Sequence, residues 1–210
     1  MKDFDRILII SPHTDDSELG CGGTISKFIE EKKEIHLLVL SPCYENVPTG
    51  FPKDALIKEV KEATSVLGIK QKNLYIEEFK VRKFSYSRQE ILDKLISYKK
   101  QIEPELVFIP SLKDVHQDHQ TTAQECFRAF KYASIFAYEL PWNQIVFDTQ
   151  GFIALDRYHI EKKIQALNCY KTQKNKPYFS PDFIRGLAIA RGVQIKRKFA
   201  EAFEIIRLIF

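Results

Sequence analysis

Arg6-Ile7-Leu8-Ile9-Ile10-Ser11-Pro12-His13-Thr14-Asp15-Asp16 is the stretch on which the reading of this chain turns. Its first half is an unbroken apolar run that predicts a buried strand over residues 6–11. Ser17-Glu18-Leu19-Gly20-Cys21-Gly22-Gly23-Thr24 follows and opens a helix. An imidazole and two adjacent carboxylates therefore stand just past the carboxyl end of the first strand, where open α/β sheets bind ligands. His13 and Asp16, three apart on a helical turn, lie on one side and can grip one cation. Asp15, between them, points elsewhere and is free to act on a water. The stretch by itself proposes a metal-dependent hydrolase.

Outward from it, the pattern repeats. The first helix extends to about residue 31, and residues 35–40 form a second strand that is again apolar throughout. Continuous apolar strands separated by helices predict a parallel sheet covered on both faces. Further strands are expected at 74–76, 106–110, 135–139 and 145–147, and a terminal strand at 204–210. Helices are expected at 52–67, stopped by Gly68 as a C-cap, at 90–102 with Ile91, Leu95, Tyr98 and Ile102 as its buried stripe, and at 156–170. Ser180-Pro181-Asp182 starts another, with Ser180 as N-cap and Pro181 at the first helical position. The expected fold is one α/β domain over residues 1–210, a Rossmann-like, mostly parallel sheet flanked by helices on both faces.

After the fourth strand comes His116-Gln117-Asp118-His119, two histidines three apart, again just past a strand end. The chain has five histidines, and three of them fall in these two clusters. Either cluster alone is a moderate signal; at equivalent ends of two parallel strands they predict a metal site. Of the other two, His36 is read as packed or at an edge, and His159 as solvated on a charged helix.

The two motifs together resemble those of the PIG-L/LmbE-like zinc-dependent de-N-acetylases. That family carries His-Pro-Asp-Asp after its first strand, then Gly-Gly-Thr, and later His-x-Asp-His. Here these are His13-Thr14-Asp15-Asp16, Gly22-Gly23-Thr24 and His116-Gln117-Asp118-His119. Residues 163–173 look like the family's late helix, and Arg191-Gly192 with Ala200-Glu201-Ala202-Phe203 like its closing segment. Two positions depart: Thr14 replaces the usual proline, and Ser17 stands where many members have glutamate, with Glu18 one place later. The resemblance implies that His13, Asp16 and His119 bind Zn2+ or another divalent transition metal. It further implies that Asp15 is the general base and that His116 assists the oxyanion or leaving group. Three protein ligands leave a position open for water, as catalytic zinc requires. Asp118 is expected to hydrogen-bond His116 and keep it cationic, with Asp114 a weaker supporting residue; Asp118 is also read as the cap of a helix that runs to about residue 131. The implied reaction removes an acetyl group from an N-acetylated sugar of the N-acetylglucosamine type.

Composition narrows the partners. The net charge of +4 is mild and spread along the chain, so no nucleic-acid partner is expected. Four cysteines with no CxxC spacing read as reduced thiols of a cytoplasmic protein. The segment from Met1 to Asp5 lacks a signal peptide's apolar stretch, and no apolar run is long enough to span a bilayer. A small N-acetylated sugar or glycoconjugate is the expected partner, and a homo-oligomer is left open. Arg82, Trp142 and the 41–50 loop are candidates for the rim of the site, with surface or core packing as the competing reading. Two rival functions are weighed. A dinucleotide-binding domain fails because Gly20-Cys21-Gly22-Gly23 lacks GxGxxG spacing and no acidic residue ends the second strand. A non-catalytic carbohydrate- or partner-binding protein is disfavoured by the presence of Asp15 and His116 beside all three ligands. Hydrolysis of a different amide or ester remains an alternative within the enzymes.

Overall fold

A computed structural model describes residues 4–210. The reading of the N-terminal segment falls partly on residues 1–3, outside the described residues. In chain order the elements are β1 (Arg6–Ser11), α1 (Asp16–Glu30), β2 (Glu34–Val39), α2 (Ala55–Leu67), β3 (Leu74–Ile76), α3 (Arg88–Ile102), β4 (Leu106–Pro110), α4 (Gln117–Ala129), β5 (Ser134–Tyr138), β6 (Gly151–Leu155), α5 (Arg157–Leu167), α6 (Pro181–Gln194) and β7 (Phe199–Arg207). The strands form one sheet in the order β3-β2-β1-β4-β5-β7-β6. The first five run parallel, whereas β7 is antiparallel to both of its neighbours. The mostly parallel α/β fold anticipated from the apolar runs is the fold observed.

The β1 run is apolar throughout because both of its faces are covered. Ile7 and Ile9 join the core beneath α1, α2, α5 and α6, and Leu8 and Ile10 join the core beneath α3 and α4. The chain leaves β1 to one side to build β2 and β3, then crosses back to place β4 on the other side. Strand order thus reverses between β1 and β4. The crevice at the carboxyl ends of such a pair is the place where this class of sheet binds ligands, and residues 12–16 and 111–119 both lie there.

Gly68 ends α2 at φ 95°, a backbone conformation that costs glycine little. Gly22-Gly23-Thr24 has a packing role. Helix α1 is kinked at Cys21 (φ −144°), and the amides of Gly23 and Thr24 beyond the kink donate to Glu201 at 3.0 and 2.7 Å. Buried Lys163 pairs with the same carboxylate at 2.7 Å. This helix start is therefore already occupied by an internal anion, which removes the dinucleotide reading.

Three expectations are corrected. No strand forms at 145–147: Ile145 is 87% exposed, and the hydrogen bonding passes to Gly151–Leu155, which pairs with β7. The short 145–147 run has no strand beside it, while 151–155 meets the long C-terminal strand. His159 is not solvated; it is 2% exposed, accepts the Asp156 amide at 2.9 Å and meets Glu30 at 2.8 Å. Asp118 does not cap α4; the cap is His116, whose Nδ1 accepts the Asp118 amide at 3.2 Å.

Near the C-terminus Gly192 of α6 lies against the turn into β7. A Cβ there would stand 2.7 Å from the Arg197 carbonyl oxygen and 2.8 Å from the Phe199 nitrogen. Backbone cannot swing aside as a side chain can, so Gly192→Ala is expected to destabilise the fold by about 1–3 kcal/mol, the usual cost of overpacking. Chemical denaturation of the variant checks this; an unchanged midpoint and slope would show that the turn yields freely.

Candidate active site

His13 and Asp16 are held on one turn: the His13 amide donates to Asp16 Oδ2 at 2.9 Å. The loop after β4 brings His119 against them. His13 Nδ1, Asp16 Oδ2 and His119 Nε2 form a triangle with edges of 3.3, 3.3 and 3.2 Å. Ligand atoms about 2.0–2.2 Å from a tetrahedral zinc stand roughly 3.3–3.6 Å apart. The spacing and the donor chemistry, two imidazoles and a carboxylate, fit a divalent transition metal. The ring nitrogens of His13, His116 and His119 form a looser group, within 4.8 Å of one another.

Each ligand-candidate imidazole is oriented from behind by a carboxylate. His119 Nδ1 meets Asp114 Oδ2 at 2.8 Å, and His13 Nε2 meets Asp118 Oδ2 at 3.1 Å. Such partners fix which ring nitrogen faces a metal. Asp114 also accepts the His116 amide at 2.8 Å. The surrounding charges favour a cation at the triangle. Burial penalises a charged His119, but Asp16 and Asp114 outweigh that penalty and raise its pKa to about 10.

Asp118 holds His13, and not His116 as the sequence suggests. It also accepts the amides of Arg82 at 2.6 Å and Phe84 at 3.3 Å. His116 is correspondingly neutral: burial, His119 and His13 push its pKa down to about 4. Because its Nδ1 accepts the Asp118 amide, the neutral ring carries its proton on Nε2. His116 is thus a hydrogen-bond donor without charge, and its ring centroid stands 5.0 Å from that of His13 and 4.7 Å from that of His119.

Asp15 is half-buried at the wall of a cavity of about 360 Å³ that also reaches His13. Burial first, and then its neighbour Asp16, raise its carboxyl above the ordinary value, which makes it a better proton acceptor. The loop that carries it is braced from behind. The Tyr170 hydroxyl sits 2.5 Å from the Thr14 carbonyl oxygen and 3.0 Å from Glu18 Oε1. That contact supplies restraint at the position where Thr14 replaces a proline. Glu18 is fully buried, and burial raises its carboxyl to about 7.

Of the rim candidates, Arg82 and Asn46 of the 41–50 loop do line the cavity. Trp142 does not; it stacks on Tyr178 with centroids 4.0 Å apart and meets Phe183 edge-on. Thr172, Gln173 and Lys176 complete the far wall. Sequence reasoning did not find them, since they sit in a polar loop with no motif, far along the chain from either cluster.

The sequence model of the PIG-L family, described as GlcNAc-PI de-N-acetylase, matches residues 8–130. That span is more than half of the chain and contains both motifs. The chain belongs to the PIG-L family. This PIG-L protein is 21% identical to diacetylchitobiose deacetylase of Thermococcus kodakarensis over 232 aligned positions, covering all of this chain and 86% of the relative. Its fold is that of N,N'-diacetylchitobiose deacetylase from Pyrococcus horikoshii (TM-score 0.81, 21% identity, 97% of this chain and 84% of that one). It is also similar in fold to GalB, the 4-carboxy-2-hydroxymuconate hydratase from Pseudomonas putida (TM-score 0.78, 20% identity, 98% of both chains). Among the described residues no helix is long and apolar enough to cross a membrane.

Proposed function

We propose that this PIG-L protein is a zinc-dependent de-N-acetylase of an N-acetylated sugar, with His13, Asp16 and His119 as the metal ligands. The single observation that supports it most is the 3.2–3.3 Å triangle of their donor atoms. A metal held there would supply a Lewis acid and lower the pKa of a water to about 7. The remaining work falls to the chain. Asp15 accepts the proton of the attacking water and returns it to the departing amine, so that the C–N bond breaks with release of acetate and a free amine. His116 Nε2–H donates to the amide oxygen as negative charge develops on it. Asp114 and Asp118 keep the two imidazoles aimed, and the adjoining cavity takes the rest of the substrate. Four cysteines free of disulfides agree with a cytoplasmic setting.

The test is acetate release from a panel of N-acetylglucosamine derivatives by protein reconstituted with zinc. Release from at least one member is expected, and its abolition by a chelator. A fold shared with a hydratase makes the assay necessary; no acetate from any compound would overturn the reading, and acid release from a different amide or ester would redirect it.

His116 separates the two metal groupings. As an oxyanion donor outside the ligand set, it can be replaced by alanine with metal retained. The expected loss is about 2–4 kcal/mol of transition-state stabilisation, the scale of one such donor. Loss of zinc along with activity would make His116 a ligand in place of Asp16.

A further inference from the structure

Asp15 stands immediately before α1, where an aspartate ordinarily turns its carboxylate back to cap the helix amides. Here the side chain makes no capping hydrogen bond and lines the cavity instead. Its aim is therefore left largely to the backbone that carries it. That backbone is pinned from two sides. On the β1 side the Ser11 hydroxyl donates to the His13 carbonyl oxygen at 2.6 Å and accepts the Ser17 amide at 3.1 Å. On the other side the Tyr170 hydroxyl donates to the Thr14 carbonyl oxygen at 2.5 Å. A carbonyl oxygen lies in one plane with the nitrogen and Cα of the next residue, so this contact fixes the plane from which Asp15 departs. The hydroxyl comes from a rigid place: Tyr170 is buried, and its ring meets Phe179 edge-on with centroids 5.9 Å apart. Glu18 Oε1 supports the same hydroxyl at 3.0 Å, and the Ser17 hydroxyl donates to Glu18 Oε2 at 2.7 Å.

Tyr170 is tied to the far wall of the cavity as well. Its carbonyl accepts the Gln173 amide at 3.1 Å, and the Gln173 carbonyl accepts the Lys176 amide at 3.0 Å. Buried Glu59 holds Thr172 by its amide at 2.9 Å and its hydroxyl at 2.6 Å. The wall and the turn that aims Asp15 thus share one residue. We propose that Tyr170 is a positioning residue: through the Thr14 carbonyl its hydroxyl sets Asp15 at a fixed place relative to the wall against which substrate lies. This rests on the reading of Asp15 as the base of the proposed hydrolysis and adds the residue that aims it.

Tyr170→Phe keeps the ring and deletes the hydroxyl. It is tested on the zinc-reconstituted protein with whichever N-acetylglucosamine derivative is turned over fastest. The expected result is a fall in kcat of about ten- to a hundredfold, as small misplacements of a reacting group allow, with KM and zinc content little changed. In the Asp15→Asn background the same substitution should cost nothing further, because a residue that acts through Asp15 has nothing left to aim. Equal losses in both backgrounds overturn the proposal. Tyr138→Phe is the control: it deletes another buried phenol hydroxyl, which donates to the Ile10 carbonyl oxygen at 3.1 Å. It should lower the melting temperature without the fall in kcat, and a fall as large as that of Tyr170→Phe also overturns the proposal. Should Tyr170→Phe not fold, Glu18→Leu removes the other support of the hydroxyl. A loss of kcat confined to the form that retains Asp15 then supports the proposal, and equal losses overturn it.

The 15N order parameter of the Asp15 amide supplies a readout that needs no turnover. In Tyr170→Phe it should drop from the rigid value of about 0.85 towards the flexible range below about 0.6, while that of Ile10 stays. An unchanged value overturns the proposal. If no compound releases acetate, the reaction assignment fails, and the order parameter still decides whether Tyr170 fixes the Asp15 turn. An Asp15→Asn variant as active as the unaltered protein removes the base, and this proposal with it.

Discussion

Asp15→Asn is expected to leave zinc content and thermal stability near those of the unaltered protein while the catalytic rate falls by roughly two to four orders of magnitude, the usual worth of a general base. The expectation follows from placement. The triangle is completed by Asp16, not Asp15, although the two carboxylates are adjacent in sequence. Asp15 instead faces the cavity, with a pKa raised first by burial and then by Asp16. Asparagine has nearly the same shape and leaves His13, Asp16 and His119 in place, but it cannot accept the proton. Asp16→Asn should behave differently and weaken the metal before it affects chemistry. Parallel metal analysis and rate measurements on both variants decide the matter. If Asp15→Asn strips the metal and Asp16→Asn spares it, the two carboxylates have exchanged roles.

His119→Ala is expected to remove the metal and with it essentially all activity. The side chain is fully buried, with Nε2 in the triangle and Nδ1 on Asp114. Its removal deletes one of the three proposed ligands and leaves Asp114 Oδ2 buried without its partner, which itself costs stability. A lowered melting temperature is therefore expected alongside the metal loss. Asp114→Asn is the milder companion: it keeps the ligand but weakens its orientation, and outer partners of this kind are worth about 10–100-fold in metal affinity or activity. Zinc retained at one per chain in His119→Ala would remove this residue from the ligand set.

Local sequence determined the parts whose physics is local. The apolar runs at 6–11, 35–40 and 106–110 specified buried parallel strands because both of their faces are covered. The spacings His13–Asp16 and His116–His119 marked the two loops because residues three apart on a turn share a side. Gly68 and Ser180-Pro181 marked helix ends through backbone conformation and capping alone. Tertiary structure decided what depends on partners distant in the chain. Residues 145–147 and 151–155 both have strand character, and only the position of β7 selected the second. His159 lies on a charged stretch, yet docking of α5 on α1 buries it against Glu30. The Asp118 carboxylate, two residues from His116, turns instead to His13 because the chain crosses from β1 to β4 and brings the two loops together. That meeting also leaves His116 neutral, since two further imidazoles and burial oppose its charge. The wall formed by Thr172, Gln173 and Lys176 is a contact between segments more than a hundred residues apart, for which no periodicity or spacing within either segment carries a signal.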